Sequence, residues 1–343
     1  MGNTFGKEDE ILKKAYFMMN SESFQLIYGK DELKRIRTLV ELEPELIVPD
    51  KNGYVEKVPN DGQIILSGWG GPRIDKRFLD SMTGLEAVFY GAGSIRGIVT
   101  DDFWEKKVVI TSSWSANAVP VAEYTFAQII LCLKNAYQLN KGYCREKDSY
   151  DKTKRFANGA YKTRVGIISL GLIGKLVCKF LRSIDVEVLA YDPYADKEEA
   201  RELGVRFADL EEIFGTCHVV SLHAPWLKET EGMIREEHFI RMLPNSAFIN
   251  TARGAIVNEG EMVSVLSERK DITAVLDVTY PEPPESGSPL YNMENVFLTP
   301  HIAGSMDGEC ARMGRYAVDE LERYLSNEQM LYRITKEMAE RMA

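Results

Sequence analysis

From residue 164 to residue 298 the sequence alternates six short apolar, β-branched runs with five helix-like runs, which constrains the fold more than any other feature. The pattern predicts strands at 164–169, 186–191, 218–222, 246–250, 273–277 and 296–298. Helices are expected between them at 172–183, 197–203, 209–215, 236–242 and 259–269. Strands separated by helices are joined by right-handed crossovers into a parallel sheet, and a series of this length completes a doubly wound one.

An earlier series is shorter: "QIIL" at 63–66, a helix over 74–82, "LEAVFY" at 85–90 and "KVVIT" at 107–111. Ahead of it, 8–19 and 31–42 read as helices, broken at Gly29-Lys30-Asp31, with Asp31 as N-cap. A long helix is expected over 119–141, with Pro120 in its first turn. Its apolar residues run around much of its circumference, so it is expected to be buried between domains or subunits. Residues 142–162 read as polar and irregular, and a last helix, 308–326, follows the completed series and is expected to pack on the first domain. With 343 residues the chain has room for two domains.

The formal net charge of −10, with no long basic run, argues against a nucleic-acid partner. Uninterrupted apolar stretches such as "IILCL" at 129–133 fall far short of the ~20 residues that cross a bilayer, so no membrane partner is expected. The polar N-terminus lacks the apolar segment of a signal peptide. Five scattered cysteines, none spaced as CxxC, read as reduced thiols of a cytoplasmic protein rather than a disulfide frame or a metal site.

Residues 165–177, "VGIISLGLIGKLV", form a strand–turn–helix junction close to the dinucleotide-binding G-x-G-x-x-G turn. Gly171 supplies the glycine that lets backbone approach a pyrophosphate, and Gly174 the one that lets helix and strand pack closely. The first position holds Ser169, which costs little if its φ stays negative. Leu172 and Ile173 open the helix whose free N–H groups face the anion. Eighteen residues after Gly174, Asp192 ends the next strand, placed to accept from an adenosine ribose and to repel a 2′-phosphate, which favours NAD over NADP. A P-loop reading fails, because the opening glycine is Ser169 and Leu176 follows Lys175.

Downstream, "NTARGAIVNEG" (250–260), "AVLDVTYPEPP" (274–284) and "LTPHIAG" (298–304) each carry a charged or titratable residue just past a predicted strand end. Ligands bind along that edge of a doubly wound sheet, so Arg253, Asp277, Glu282 and His301 are expected to converge there. Of the other histidines, only His223 sits in a motif.

In these stretches the chain resembles the D-isomer-specific 2-hydroxyacid dehydrogenases, best over 164–304 and in outline over 60–325. The resemblance implies an α/β fold of two doubly wound parallel-sheet domains. One is a Rossmann NAD-binding domain (122–304) and the other a flavodoxin-like substrate domain (1–121, completed by 305–343), with an interdomain cleft. It assigns three catalytic roles: Arg253 clamps substrate, His301 is the general acid/base, and Glu282 orients and tunes His301. The intervals of 29 and 19 residues between them resemble the family's. It assigns Asp277 to the nicotinamide amide, and His223, Ala224 and Pro225 to the cofactor-lining loop, with Thr251, Ala252 and Gly304 beside the cofactor.

The chemistry agrees. Reduction of a 2-keto acid needs a hydride at carbon and a proton at oxygen, and an imidazole held by a carboxylate donates that proton near neutral pH. A guanidinium fork holds the carboxylate and carbonyl oxygens in line. On the substrate side, Ala92, Gly93 and Ser94 match the loop that presents N–H groups to the substrate carboxylate. The chain departs at Ile95-Arg96-Gly97, where the substrate R-group is expected to lie, together with Trp69. Trp69 reads equally well as an aromatic capping a strand end. Asn117 matches an asparagine near substrate in some relatives, or else caps the long helix.

Glu282 argues against formate oxidation, whose enzymes pair the histidine with glutamine. No regulatory module is expected after residue 343. The expectation is an NAD-dependent reductase of a small 2-keto acid to its 2-hydroxy acid, working as a homodimer. Two alternatives stay open: an NAD(H)-sensing interaction protein like the family's corepressors, which keep the same residues, and a cofactor-free scaffold, raised by Ser169.

Overall fold

The stretch Lys14–Met18, read above as part of a helix, is instead a strand whose last four residues are buried. A strand buried on both faces carries a continuous apolar run with no alternation, which sequence periodicity cannot tell from a buried helix. This emerges from a computed structural model that describes residues 12–147 and 156–342, so residues 8–11 of the expected helix lie outside it.

The chain divides into two compact units, residues 1–117 with 306–343, and residues 118–305. The first contains β1 (Lys14–Met18), α1 (Ser21–Ile27), α2 (Lys30–Leu39), β2 (Glu41–Ile47), β3 (Ile64–Ser67), α3 (Lys76–Ser81), β4 (Ala87–Tyr90), α4 (Asp101–Glu105) and β5 (Val109–Ser112). Its strands form a parallel sheet in the order β2-β1-β3-β4-β5, the flavodoxin-like order. Alternate residues feed two apolar layers: Tyr16, Ile65 and Val88 face one, Phe17, Leu66 and Phe89 the other. Gly29, not Asp31, caps α2.

The chain continues through α5 (Trp114–Leu133) and α6 (Ala136–Glu146). The helix expected over 119–141 therefore starts earlier and breaks at Asn135, whose φ of 49° is left-handed. Pro120 lies inside α5 rather than in its first turn. Helix α6 runs into the stretch read as irregular, of which residues 148–155 are outside the described residues. By length and composition α5 could cross a bilayer, yet more than half of that stretch is buried in the fold.

The second unit holds β6 (Thr163–Ile168), α7 (Leu172–Leu181), β7 (Val186–Tyr191), α8 (Lys197–Glu202), β8 (Val205–Phe207), α9 (Leu210–Thr216), β9 (Val219–Leu222), α10 (Glu236–Arg241), β10 (Ala247–Asn250), α11 (Glu259–Glu268), β11 (Thr273–Leu276) and β12 (Val296–Leu298). Seven parallel strands, one more than expected, take the order β12-β11-β10-β9-β6-β7-β8. The addition is β8, a three-residue edge strand too short to show a period. The order reverses between β6 and β9, so a ligand crevice is expected beyond their carboxyl ends. Both faces are covered: Val219, Ile249 and Val275 pack into one layer, Val220, Phe248 and Leu276 into the other.

Residues 306–343 complete the first unit with α12 (Cys310–Leu325) and α13 (Lys336–Ala339). Between them the chain pairs antiparallel with β5 at Thr111 and Arg333, covering an edge that would otherwise be open. Glu320, 1% exposed, anchors this segment by accepting from the N–H groups of Leu331 (3.1 Å) and Tyr332 (2.9 Å).

Candidate active site

In the second unit every expected chemical residue follows the carboxyl end of a parallel strand. Ser169 follows β6, Asp192 β7, His223 β9, Thr251–Arg253 β10, Asp277 β11 and Thr299–His301 β12. Because the strands are parallel and paired in register, these ends lie along one rim.

At the centre of the rim, Ser169 adopts φ = 78°. This corrects the expectation of a negative φ: the position needs the left-handed conformation of a glycine, which costs an L-residue roughly 1–2 kcal/mol. The surroundings enforce it. Ser169 donates its N–H to Tyr191 O at 2.7 Å, and its carbonyl lies under Gly174, where a Cβ would sit 2.2 Å from it. Gly171, by contrast, has room: among the described residues the nearest atom to an added Cβ is Ser169 Oγ, at 3.9 Å. It caps α7 with no side-chain bond, so Leu172 and Ile173 start a helix whose first N–H groups meet no side-chain acceptor at the cap. The Asp192 carboxylate accepts from Leu170 N–H (2.7 Å), Ser169 Oγ (3.3 Å) and Tyr194 N–H (2.8 Å). Beyond it lies a cavity of about 540 Å³ whose lining includes Asp209 and Glu212 against Lys197.

His223 is buried, and burial drives its imidazole down to about 3, so it is neutral at physiological pH. Its Nε2 meets Ser221 Oγ at 3.0 Å, while Nδ1 is buried with no partner among the described residues. Ala224 is buried beside it, and Pro225 O accepts from Thr230 Oγ1. Thr251 is bonded to Thr125 at 2.9 Å.

The turn after β10 is fixed by Asn250, 1% exposed, which accepts from Ala252 N–H and donates to Arg253 O, both at 3.0 Å. Arg253, half-buried, donates to Ala252 O at 2.6 Å. The next residue, Gly254, presses on the loop after β11: a Cβ there would sit 2.0 Å from Thr279 C and 2.2 Å from Thr279 O.

That loop carries Asp277, 2% exposed. Its Oδ1 accepts from Thr299 Oγ1 (2.6 Å) and Ile302 N–H (2.8 Å), its Oδ2 from Ala303 N–H (2.9 Å). Its own carbonyl accepts from His301 N–H at 3.0 Å. Asp277 thus fastens the turn after β12, in which His301 adopts φ = 55° and Gly304 is half-buried. A carboxylate offers about four lone-pair sites, so one on Oδ2 remains for a ligand donor. Thr299, committed to the carboxylate, accepts from the Tyr124 hydroxyl at 3.1 Å. His301 Nδ1 meets Glu282 Oε1 at 2.6 Å, the side chains 46% and 40% exposed. A contact this exposed adds little to stability; its consequence is a fixed imidazole plane.

The first unit holds the other expected residues. Ala92 is buried, Gly93 and Ser94 half-buried, and Ser112 Oγ lies 2.9 and 2.6 Å from the carbonyls of Ala92 and Gly93. Asn117 Nδ2 lies 3.5 Å from the Cβ position of Gly93. Ile95, expected near a substrate R-group, is instead 5% exposed in an apolar layer, because the loop turns inward there. Trp69, half-buried, packs against both layers at the end of β3.

Residues 126–303, over half of the chain, match the family model described as D-isomer specific 2-hydroxyacid dehydrogenase, NAD binding domain. The chain belongs to this family. It is 28% identical to the D-3-phosphoglycerate dehydrogenase of Archaeoglobus fulgidus over 234 residues, 68% of this chain and 44% of that protein. It is 27% identical to the glyoxylate reductase of Korarchaeum cryptofilum over 276 residues, 80% of this chain and 82% of that one. The chain spans about half the length of the phosphoglycerate dehydrogenases it matches first. In fold it is similar to the apo D-mandelate dehydrogenase of Rhodotorula graminis, with a TM-score of 0.79 at 21% identity, covering 94% of this chain and 98% of that one.

The residues of this 2-hydroxyacid dehydrogenase domain fit NAD. Gly171 leaves space at a helix N-terminus, Asp192 and Asp277 retain acceptor sites, and the orphaned His223 Nδ1 lies buried on the same rim. Sequence reasoning missed Asn250, Gly254, Thr299 and Tyr124. Asn250 had a signal, a turn-forming residue ending a strand. The others act through contacts between segments distant in sequence: Gly254 with Thr279, Thr299 with Asp277, and Tyr124 on α5 with Thr299.

Proposed function

We propose that this chain is an NAD-dependent D-2-hydroxyacid dehydrogenase that reduces a small 2-keto acid. The observation that carries the reading is the 2.6 Å contact of His301 Nδ1 with Glu282, whose loop is touched at Thr279 by Gly254, the residue after Arg253. With Nδ1 bonded to Glu282, the ring is held in one orientation and Nε2 is left to serve as the acid/base atom toward the substrate's carbonyl oxygen. Arg253 grips the carboxylate and carbonyl oxygens as a fork, fixing the carbonyl carbon. Reduced NAD supplies the hydride. Asp277 holds the His301 turn and offers its remaining lone pair to the carboxamide.

The test is an NADH-oxidation screen over glyoxylate, hydroxypyruvate, pyruvate, phosphohydroxypyruvate and longer 2-keto acids. The expected result is turnover of at least one to its D-hydroxy acid. Saturable NADH binding with no turnover would replace this reading with that of an NAD(H) sensor. A homodimer and a cytoplasmic location belong to the same reading. Leu131 on α5 and Tyr143 on α6 are exposed apolar residues that suit a subunit contact. Light scattering at micromolar concentration should give twice the chain mass; a monomer overturns that part.

A further inference from the structure

The first position of the dinucleotide turn is where a glycine would relieve the backbone, yet Ser169 holds φ = 78° there. A residue kept in a sparsely populated conformation by its surroundings is a marker for function. Its side chain reaches the carboxylate that ends β7, and the proton count around that carboxylate is informative. Asp192 Oδ2 accepts from both Leu170 N–H and the Ser169 hydroxyl, which fills its two lone-pair directions. Oδ1 accepts from Tyr194 N–H and keeps one direction open. With Ser169 donating to Oδ2, Asp192 keeps one open acceptor site, while a ribose diol brings two donors.

The Ser169 oxygen closes that gap. Its single proton goes to Asp192, so its two lone pairs remain to accept. We propose that Ser169 is a specificity-determining residue of the cofactor site: its Oγ and Asp192 Oδ1 together accept the two hydroxyls of the adenosine ribose. Such a pair offers acceptors and negative charge and no donor, so it suits a 2′,3′-diol and opposes a 2′-phosphate. In the adjoining cavity Lys197 stands with Asp209 and Glu212, and Glu212 is paired with Arg206, so the discrimination is assigned to the Ser169–Asp192 pair. This rests on the reading of the glycine turn as the NAD site and adds a role for the residue that breaks its pattern.

The experiment titrates NADH and NADPH, by nucleotide fluorescence, into the full chain and its Ser169→Ala and Ser169→Gly variants, and records their melting temperatures. Ser169→Ala removes the hydroxyl but keeps the strained Cβ; Ser169→Gly removes both. In each, the lone pair freed on Asp192 Oδ2 points back at the vacated Oγ position, 3.3 Å short of where the serine oxygen would meet a ribose hydroxyl. Both variants are expected to bind NADH roughly three- to tenfold more weakly, as for one lost hydrogen bond, and to lose preference over NADPH by the same factor. Ser169→Gly should nevertheless melt above the unaltered chain, because it relieves the backbone. A purely structural serine would move stability and binding together. NADH affinity unchanged in Ser169→Ala overturns this inference alone. Failure of the unaltered chain to bind NADH saturably overturns the cofactor reading and the inference with it.

Discussion

Replacing His301 with alanine is expected to lower kcat for 2-keto acid reduction by ~10²–10⁴, the range for a lost general acid. NADH affinity should change little. The separation follows from how the turn is held. Asp277 binds the backbone N–H groups of Ile302 and Ala303 and accepts from His301 N–H through its carbonyl, so the anchors do not involve the imidazole. Alanine carries the same Cβ as histidine and meets the same constraint at φ = 55°, so the substitution neither relieves nor adds backbone strain. What disappears is the ring that Glu282 orients. Single-turnover kinetics with saturating NADH would measure the loss at the chemical step. Activity surviving within about tenfold would mean that another residue donates the proton.

How much of this was legible in the sequence depended on the range of the interactions. The second sheet was readable because its strands are short apolar runs separated by amphipathic helices, a local pattern. The first sheet was harder. Phe17 and Met18 belong to a strand buried on both sides, which carries no period-2 signal; Glu41–Ile47 does alternate Glu with Leu or Pro, but its first two residues also continue the helical reading of 31–42. The positive φ of Ser169 could not be read from its type; it is imposed by Tyr191 on one side and Gly174 on the other. In the site, the residue types and their order were visible, but the contact between His301 and Glu282 rested on family resemblance, since a 19-residue interval fixes no distance. Asp277 was expected to serve a cofactor. That it also fastens the His301 turn follows from β11 and β12 being neighbours, which is a property of the sheet.

Gly254→Ala, one methyl group, should be nearly as damaging to catalysis as losing a catalytic side chain. The added Cβ would lie 2.0 and 2.2 Å from the carbonyl carbon and oxygen of Thr279, and backbone atoms cannot rotate away as a flexible side chain can. Either the Arg253 turn or the loop leading to Glu282 must move, and each has fixed moorings. The Arg253 turn is tied on both sides by Asn250; Thr279 Oγ1 donates to Pro281 O at 2.8 Å, next to Glu282. Overpacking of this kind costs about 1–3 kcal/mol, a melting-temperature drop of several degrees. The larger consequence is geometric, since displacing a substrate-positioning group by about 1 Å lowers the rate roughly 10²-fold. The expected outcome is therefore a folded, NADH-binding protein whose kcat/KM for its 2-keto acid falls by about 10² or more. Gly260→Ala in α11 is the control: its Cβ would meet nothing closer than 3.8 Å, so activity and melting temperature should hold or rise. If Gly254→Ala matched that control in both measurements, the close approach of the Arg253 turn to the Glu282 loop would not be what sets the site's geometry.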